Sequence, residues 1–79
     1  MNKLNKIFAA ILEIPIESIT PELSMENTTE WDSIRHIELL YELQETFDIK
    51  LDSYEAINMI DYNQVILILE SKGVTLTAE

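Results

Sequence analysis

The apolar positions of the chain fall into three periodic blocks separated by aperiodic segments. Leu4, Ile7, Phe8, Ile11 and Leu12 recur at the i, i+3, i+4, i+7, i+8 spacing that gathers side chains on one face of a helix. Pro15 disfavours helical geometry in the residue before it, so this first helix is expected to end near Glu13. From there to about Trp31 the chain carries both of its prolines and the run SMENTTE, which has no period. The expectation is a long loop with room for a short turn, packed through Ile16, Ile19, Leu23 and Met25.

A second helix is predicted from Asp32 or Ser33, either a good N-cap, to about Phe47, with Asp48 closing it. A full capping box is absent there, because Arg35 rather than Glu or Gln stands three residues after Asp32. Turning about 100° per residue, His36, Leu39, Leu40, Leu43 and Phe47 share one side, with Ile37 at its edge, and that side is read as core. The opposite side gathers Ile34, Arg35, Glu38, Tyr41, Glu42 and Glu45, two apolar residues in an acidic field. IKLDSYEAINMI then reads as a short connector with one helical turn begun by Asp52 or Ser53. Asp61 is the expected cap of a last helix carrying Tyr62, Val65, Ile66, Leu67, Ile68 and Leu69, which stops at Lys72-Gly73. VILIL alone would pass for a buried strand. The cap, the length, the terminal Lys-Gly and the lack of an Asn-Gly or Asp-Gly hairpin signal favour helix. The sum is an all-α chain, one domain over residues 1–79, folded as a four-helix bundle of three main helices and one short one.

A chain of 79 residues supports one modest core, which leaves little room for a deep enzyme pocket. At 47% hydrophobic it should fold rather than remain a disordered acidic tail. Asp and Glu number 15 against 5 Lys and Arg, a formal net charge of -10. That balance excludes nucleic acid and anionic membrane surfaces, whose binding rests on Lys and Arg facing phosphate, and it favours basic protein partners. With no cysteine there are no disulfides or thiolate metal sites, and the single His36 supports no histidine-rich one, so no metal is expected. The N-terminal MNKLNKIFAAILEIPIE superficially resembles a signal peptide. Glu13 and Pro15 interrupt its apolar run, and the helical spacing makes it the first helix of a cytoplasmic protein.

The candidate chemistry lies in EWDSIRHIE, where Asp32, Ser33 and His36 stand within five residues at a helix start. A hydrolase built on them would need a base aligned on the hydroxyl, an acid on the far ring nitrogen, an oxyanion site and a cleft, and one helical turn rarely points three side chains that way. No catalytic residue is therefore expected, and His36 reads as a half-buried packing residue. A second reading makes Asp32 and Ser33 caps alone, contributing about 1 kcal/mol. It leaves the acidic face and the exposed Ile34 and Tyr41 unexplained. In the third, Ser33 is an attachment point, because a phosphodiester there would lie where backbone amides and the helix dipole favour negative charge.

Asp32-Ser33-Ile34 is similar to the Asp-Ser-Leu motif of the acyl carrier protein family. Ile37-Glu38-Leu39-Leu40 and Leu43-Gln44-Glu45-Thr46-Phe47-Asp48-Ile49 continue the resemblance, which runs over nearly the whole chain. The resemblance implies that Ser33 receives a 4'-phosphopantetheine arm from coenzyme A, added by a separate phosphopantetheinyl transferase that uses magnesium. The arm's thiol would then hold an acyl or aminoacyl group as a thioester. It also implies that Asp32 helps engage the transferase. Glu38, Glu42 and Glu45 would meet Arg and Lys on acyl-loading and acyl-transfer enzymes, Ile34 and Tyr41 would supply apolar docking contacts, and the protein would be a monomer. In some members the acyl chain folds back between the helices.

Three positions depart from the fatty-acid synthesis carriers. Trp31 precedes Asp32 where those usually have a small residue, Arg35 stands where an acid is usual, and Asp48 replaces a common glycine. The Trp-Asp-Ser motif looks more like dedicated carriers that serve a modified polysaccharide, an aminoacylated polymer or a secondary metabolite. The alternative outside the family is a small acidic helical interaction module without a prosthetic group, which would not need Ser33.

Overall fold

In the computed structural model, which describes residues 2–76, four α-helices surround one apolar core: α1 (Asn2–Leu12), α2 (Ser33–Phe47), α3 (Ser53–Asn58) and α4 (Tyr62–Ser71). A single turn of 3-10 helix, Ile16–Ser18, lies in the long loop between α1 and α2. The chain is all-α, and among the described residues the only strand-like feature is one isolated bridge, Ser24 to Asp61. Through it the Met25 N–H donates to Ile60 and the Tyr62 N–H to Leu23, each at 2.9 Å. The loop is thus tied to the start of α4.

Leu4, Phe8 and Leu12 of α1 pack with Leu39 and Leu43 of α2, Met59 after α3, and Val65 and Leu69 of α4, all fully buried. Phe8 stacks edge-on against Trp31 at 5.2 Å and tilted against Tyr62 at 5.6 Å, so three aromatic rings from three segments form the centre. The Tyr62 hydroxyl donates to Asn5 Oδ1 at 2.6 Å, and its burial raises its pKa above the ordinary 10.0. Ile19 and Leu23 are buried and Met25 packs at the edge of the core, as expected of the loop. Ile16 does not join them and stays exposed, because the 3-10 turn faces it outward. Leu67 is likewise exposed on the outer face of α4.

The polar loop that shows no period is held by Asn27. Its Oδ1 accepts from the Ser24 N–H at 3.1 Å and the Thr28 hydroxyl at 2.7 Å, its Nδ2 donates to the Glu22 carbonyl at 2.7 Å, and its N–H donates to Ser24 Oγ at 3.2 Å. Such side-chain to backbone bonds replace a regular ladder.

The starts of α2, α3 and α4 are set by aspartates. Asp32 accepts from Arg35 N, Asp52 from Glu55 N and Asp61 from Gln64 N. The choice between Asp32 and Ser33 is thereby decided, with Asp32 as the cap and Ser33 as the first helical residue. Asp52 and Glu55 complete a reciprocal capping box on α3, a short helix that needs it. At the other ends, Glu13 (φ 56), Asp48 (φ 54) and Gly73 (φ 89) adopt left-handed conformations. In each case the next residue's N–H reaches back to the helix: Ile14 to Ala9, Ile49 to Gln44, Val74 to Leu69. This closure usually takes glycine, and the chain has only one.

Candidate functional site

Ser33 is exposed at the first position of α2, and among the described residues its hydroxyl has no hydrogen-bond partner. Asp32 beside it is also exposed, with one carboxylate oxygen on the Arg35 N–H at 2.9 Å. A serine placed one residue inside the cap is held by the helix backbone while its side chain points to solvent.

His36, one turn on, is not available to Ser33. The Trp31 indole N–H donates to its Nδ1 at 3.0 Å, and its Nε2 lies 2.9 Å from the Ala56 carbonyl. An indole nitrogen can only donate, so Nδ1 carries a lone pair and Nε2 carries the hydrogen that Ala56 accepts. Both ring nitrogens are spent on linking the long loop, α2 and α3. No base is aligned on the hydroxyl, and a Ser-His-Asp triad is absent from this turn.

Arg35 departs from its expected place on the outer face of α2. Its guanidinium folds back on α1, donating to the Ile11 carbonyl at 2.7 Å and pairing with Glu13 at 3.2 Å. Unsatisfied carbonyls at a helix end attract such a donor, and Ile11 lies in the last turn of α1.

The other outward residues of α2 lie as the wheel places them. Glu38, Tyr41, Glu42 and Glu45 form one wall of an open groove of about 410 Å³ whose other wall is Ala10, Ile11 and Glu13 of α1. Glu42 also borders a second groove of about 330 Å³ with Lys3 and Lys6 of α1. The acidic field of α2 is therefore partly offset by Lys3 and Lys6 beside Glu42 and by Lys50 in a groove shared with Glu45. Ile34 (70% exposed) projects at the N-terminal end of this face and Tyr41 (68%) between Glu38 and Glu45. Ile37, placed at the core edge by the helical spacing, is instead 55% exposed. Tyr54 and Ile57 of α3 are exposed large apolar side chains that the connector reading passed over. The Asp52-x-x-Glu55 box was the signal that a real helix, with an outer face, begins there.

Trp31 is 1% exposed, the largest buried side chain of the described residues. Glu55 reaches out of α3 to Lys72 at the end of α4 at 2.8 Å. The Lys72 ammonium, with the Asp52 N–H, holds the Glu55 carboxyl below its usual range.

The profile of the family described as "Phosphopantetheine attachment site" matches residues 2–65. An acyl carrier protein of Desulforapulum autotrophicum is 35% identical over 72 residues, covering 90% of this chain and 94% of that one. An acyl carrier protein of Syntrophus aciditrophicus is 32% identical over 73 residues, covering 92% and 91%. A lone exposed serine opening the second of four helices, next to an aspartate cap, agrees with both findings: the chain belongs to the acyl carrier proteins, the phosphopantetheine-bearing carriers that are not themselves enzymes.

Proposed function

We propose that Ser33 is the attachment residue for 4'-phosphopantetheine and that the chain presents an acyl or aminoacyl group to separate enzymes in a dedicated pathway. The observation that carries the reading is the exposed Ser33 hydroxyl, without a hydrogen-bond partner among the described residues, at the first position of α2. The residues there fit the group: a nucleophilic oxygen in solvent, and a first helical turn whose amide dipoles favour a phosphodiester. When bound, the group supplies a thiol that holds cargo as a thioester, which a chain with no cysteine cannot do by itself.

Asp32 fixes the first turn and offers its carboxylate to a phosphopantetheinyl transferase. Glu38, Glu42 and Glu45 face basic patches on acyl-loading and acyl-transfer enzymes, with Ile34 and Tyr41 as apolar contacts on the same face. A monomer working in the cytoplasm suits this role. No helix among the described residues is long and apolar enough to cross a membrane.

Arg35 supports a dedicated role over housekeeping fatty-acid synthesis, because it stands where those carriers usually have an acid and is drawn off to Glu13. Trp31, built into the core against Phe8 and bonded to His36, serves as a packing residue. Intact mass after incubation with coenzyme A, magnesium and a broad-specificity transferase tests the attachment. The wild type gains one phosphopantetheine and Ser33→Ala gains none; a folded wild type without gain overturns the reading. In a reconstituted fatty-acid synthesis the loaded protein turns over at least about tenfold more slowly than a housekeeping carrier, a loss of about 1.4 kcal/mol in transition-state binding.

A further inference from the structure

The part of the core nearest Ser33 lies between the start of α2 and α3, where His36, one turn after Ser33, bonds to Ala56. That region is crossed by the Trp31–His36–Ala56 link. Trp31 is buried against Phe8, its N–H is bonded to His36 Nδ1 at 3.0 Å, and His36 Nε2–H is bonded to the α3 carbonyl of Ala56 at 2.9 Å. We propose, building on the carrier reading, that Trp31 and His36 keep the carried group outside the core and so restrict the cargo to short or polar acyl groups of about six carbons or fewer.

The magnitudes follow from what opening would strand. An apolar interface can part and reclose around an acyl chain with its contacts exchanged, because dispersion is non-directional. A part-buried N–H or C=O left without a partner is different. Each broken bond of the link disfavours opening by about tenfold to a hundredfold, so the two together come to about a thousandfold. Burying one methylene favours it by about fourfold. About five buried methylenes are needed before opening gains anything, and an amino or hydroxyl group on the cargo raises that number by the cost of burying it. Outside, the cargo stands beside Ile34 and Ile37, both exposed, where a partner enzyme can take it without first prising helices apart.

Trp31 is the only tryptophan, so its emission reports on the link directly. The experiment loads the full-length protein from acetyl-, butyryl- and hexanoyl-coenzyme A, verifies each by intact mass, and records melting temperature and Trp31 emission. The expected result is three melting temperatures within about 2 °C and one unchanged emission maximum; two buried methylenes would raise a domain of this size by more than that. In His36→Ala, which removes both bonds of the link, the melting temperature rises with chain length. Trp31→Phe, which keeps a ring on Phe8, serves the same purpose should His36→Ala fail to fold. A wild-type melting temperature that climbs by several degrees from acetyl to hexanoyl overturns the proposal. A flat series in both variants overturns the assignment to Trp31 and His36. Absence of any mass gain in the folded protein overturns the carrier reading itself, and the mass separates that failure from the others.

Discussion

Single residues here carry more than one job, and the left-handed Asp48 is the clearest case. It closes α2 at φ 54, ψ 53, where a Cβ crowds the backbone, yet a short polar side chain tolerates that region better than most. Asp48→Val should lower stability by about 1–2 kcal/mol, a fall in melting temperature of about 4–16 °C, while Asp48→Gly stays close to wild type. Thermal unfolding followed by circular dichroism distinguishes the two. Asp48 was legible as the end of α2 from the position of Phe47 before it, whereas its left-handed geometry was seen only in the fold. Arg35 was not legible. Three residues after a cap, an arginine looks like a solvated charge, and only the place where α1 ends gives its guanidinium a carbonyl to satisfy.

At the scale of elements, α3 depends most on its anchors. A six-residue helix has no stability of its own in water. It is held by the Asp52–Glu55 box, by His36 on Ala56 at its far turn, and by Lys72 on Glu55. The Glu55 carboxyl lies below its ordinary pKa of 4.5, mainly through the Lys72 hydrogen bond and then the Asp52 N–H. A depressed folded-state pKa contributes stability that is present above about pH 4.5 and lost as pH falls from there through the lower folded value. Amide exchange of residues 53–58 should therefore quicken relative to the rest of the chain as pH drops below 4.5, once the intrinsic rate is divided out. Glu55→Gln should show the faster relative exchange already at neutral pH and little further change. An exchange pattern equal in both proteins would remove the anchor role from Glu55.

The whole molecule is an acidic body, with a formal net charge of -10, and Glu38, Glu42 and Glu45 share the outer face of α2. Association with a basic partner enzyme should weaken by about tenfold or more between 0.05 and 0.5 M salt, mostly through the on-rate, as screening shortens the reach of the field to a few ångströms. Glu38→Gln with Glu45→Gln should flatten that dependence, and stopped-flow association rates would show it. The elements themselves were determined by the sequence, because helical spacing, aspartate caps and a terminal Lys-Gly act within a turn or two of chain. The exposed position of Ser33 follows from the same local rules, since a residue just inside a cap has no neighbour above it. The tertiary structure alone decided that Trp31 and His36 link to Ala56 twenty residues on, that Arg35 reaches Ile11 twenty-four residues back, and that Ile37 is left uncovered. Those contacts depend on how far each helix extends and at what angle it crosses its neighbour, and hydrophobic periodicity specifies a face without specifying what meets it.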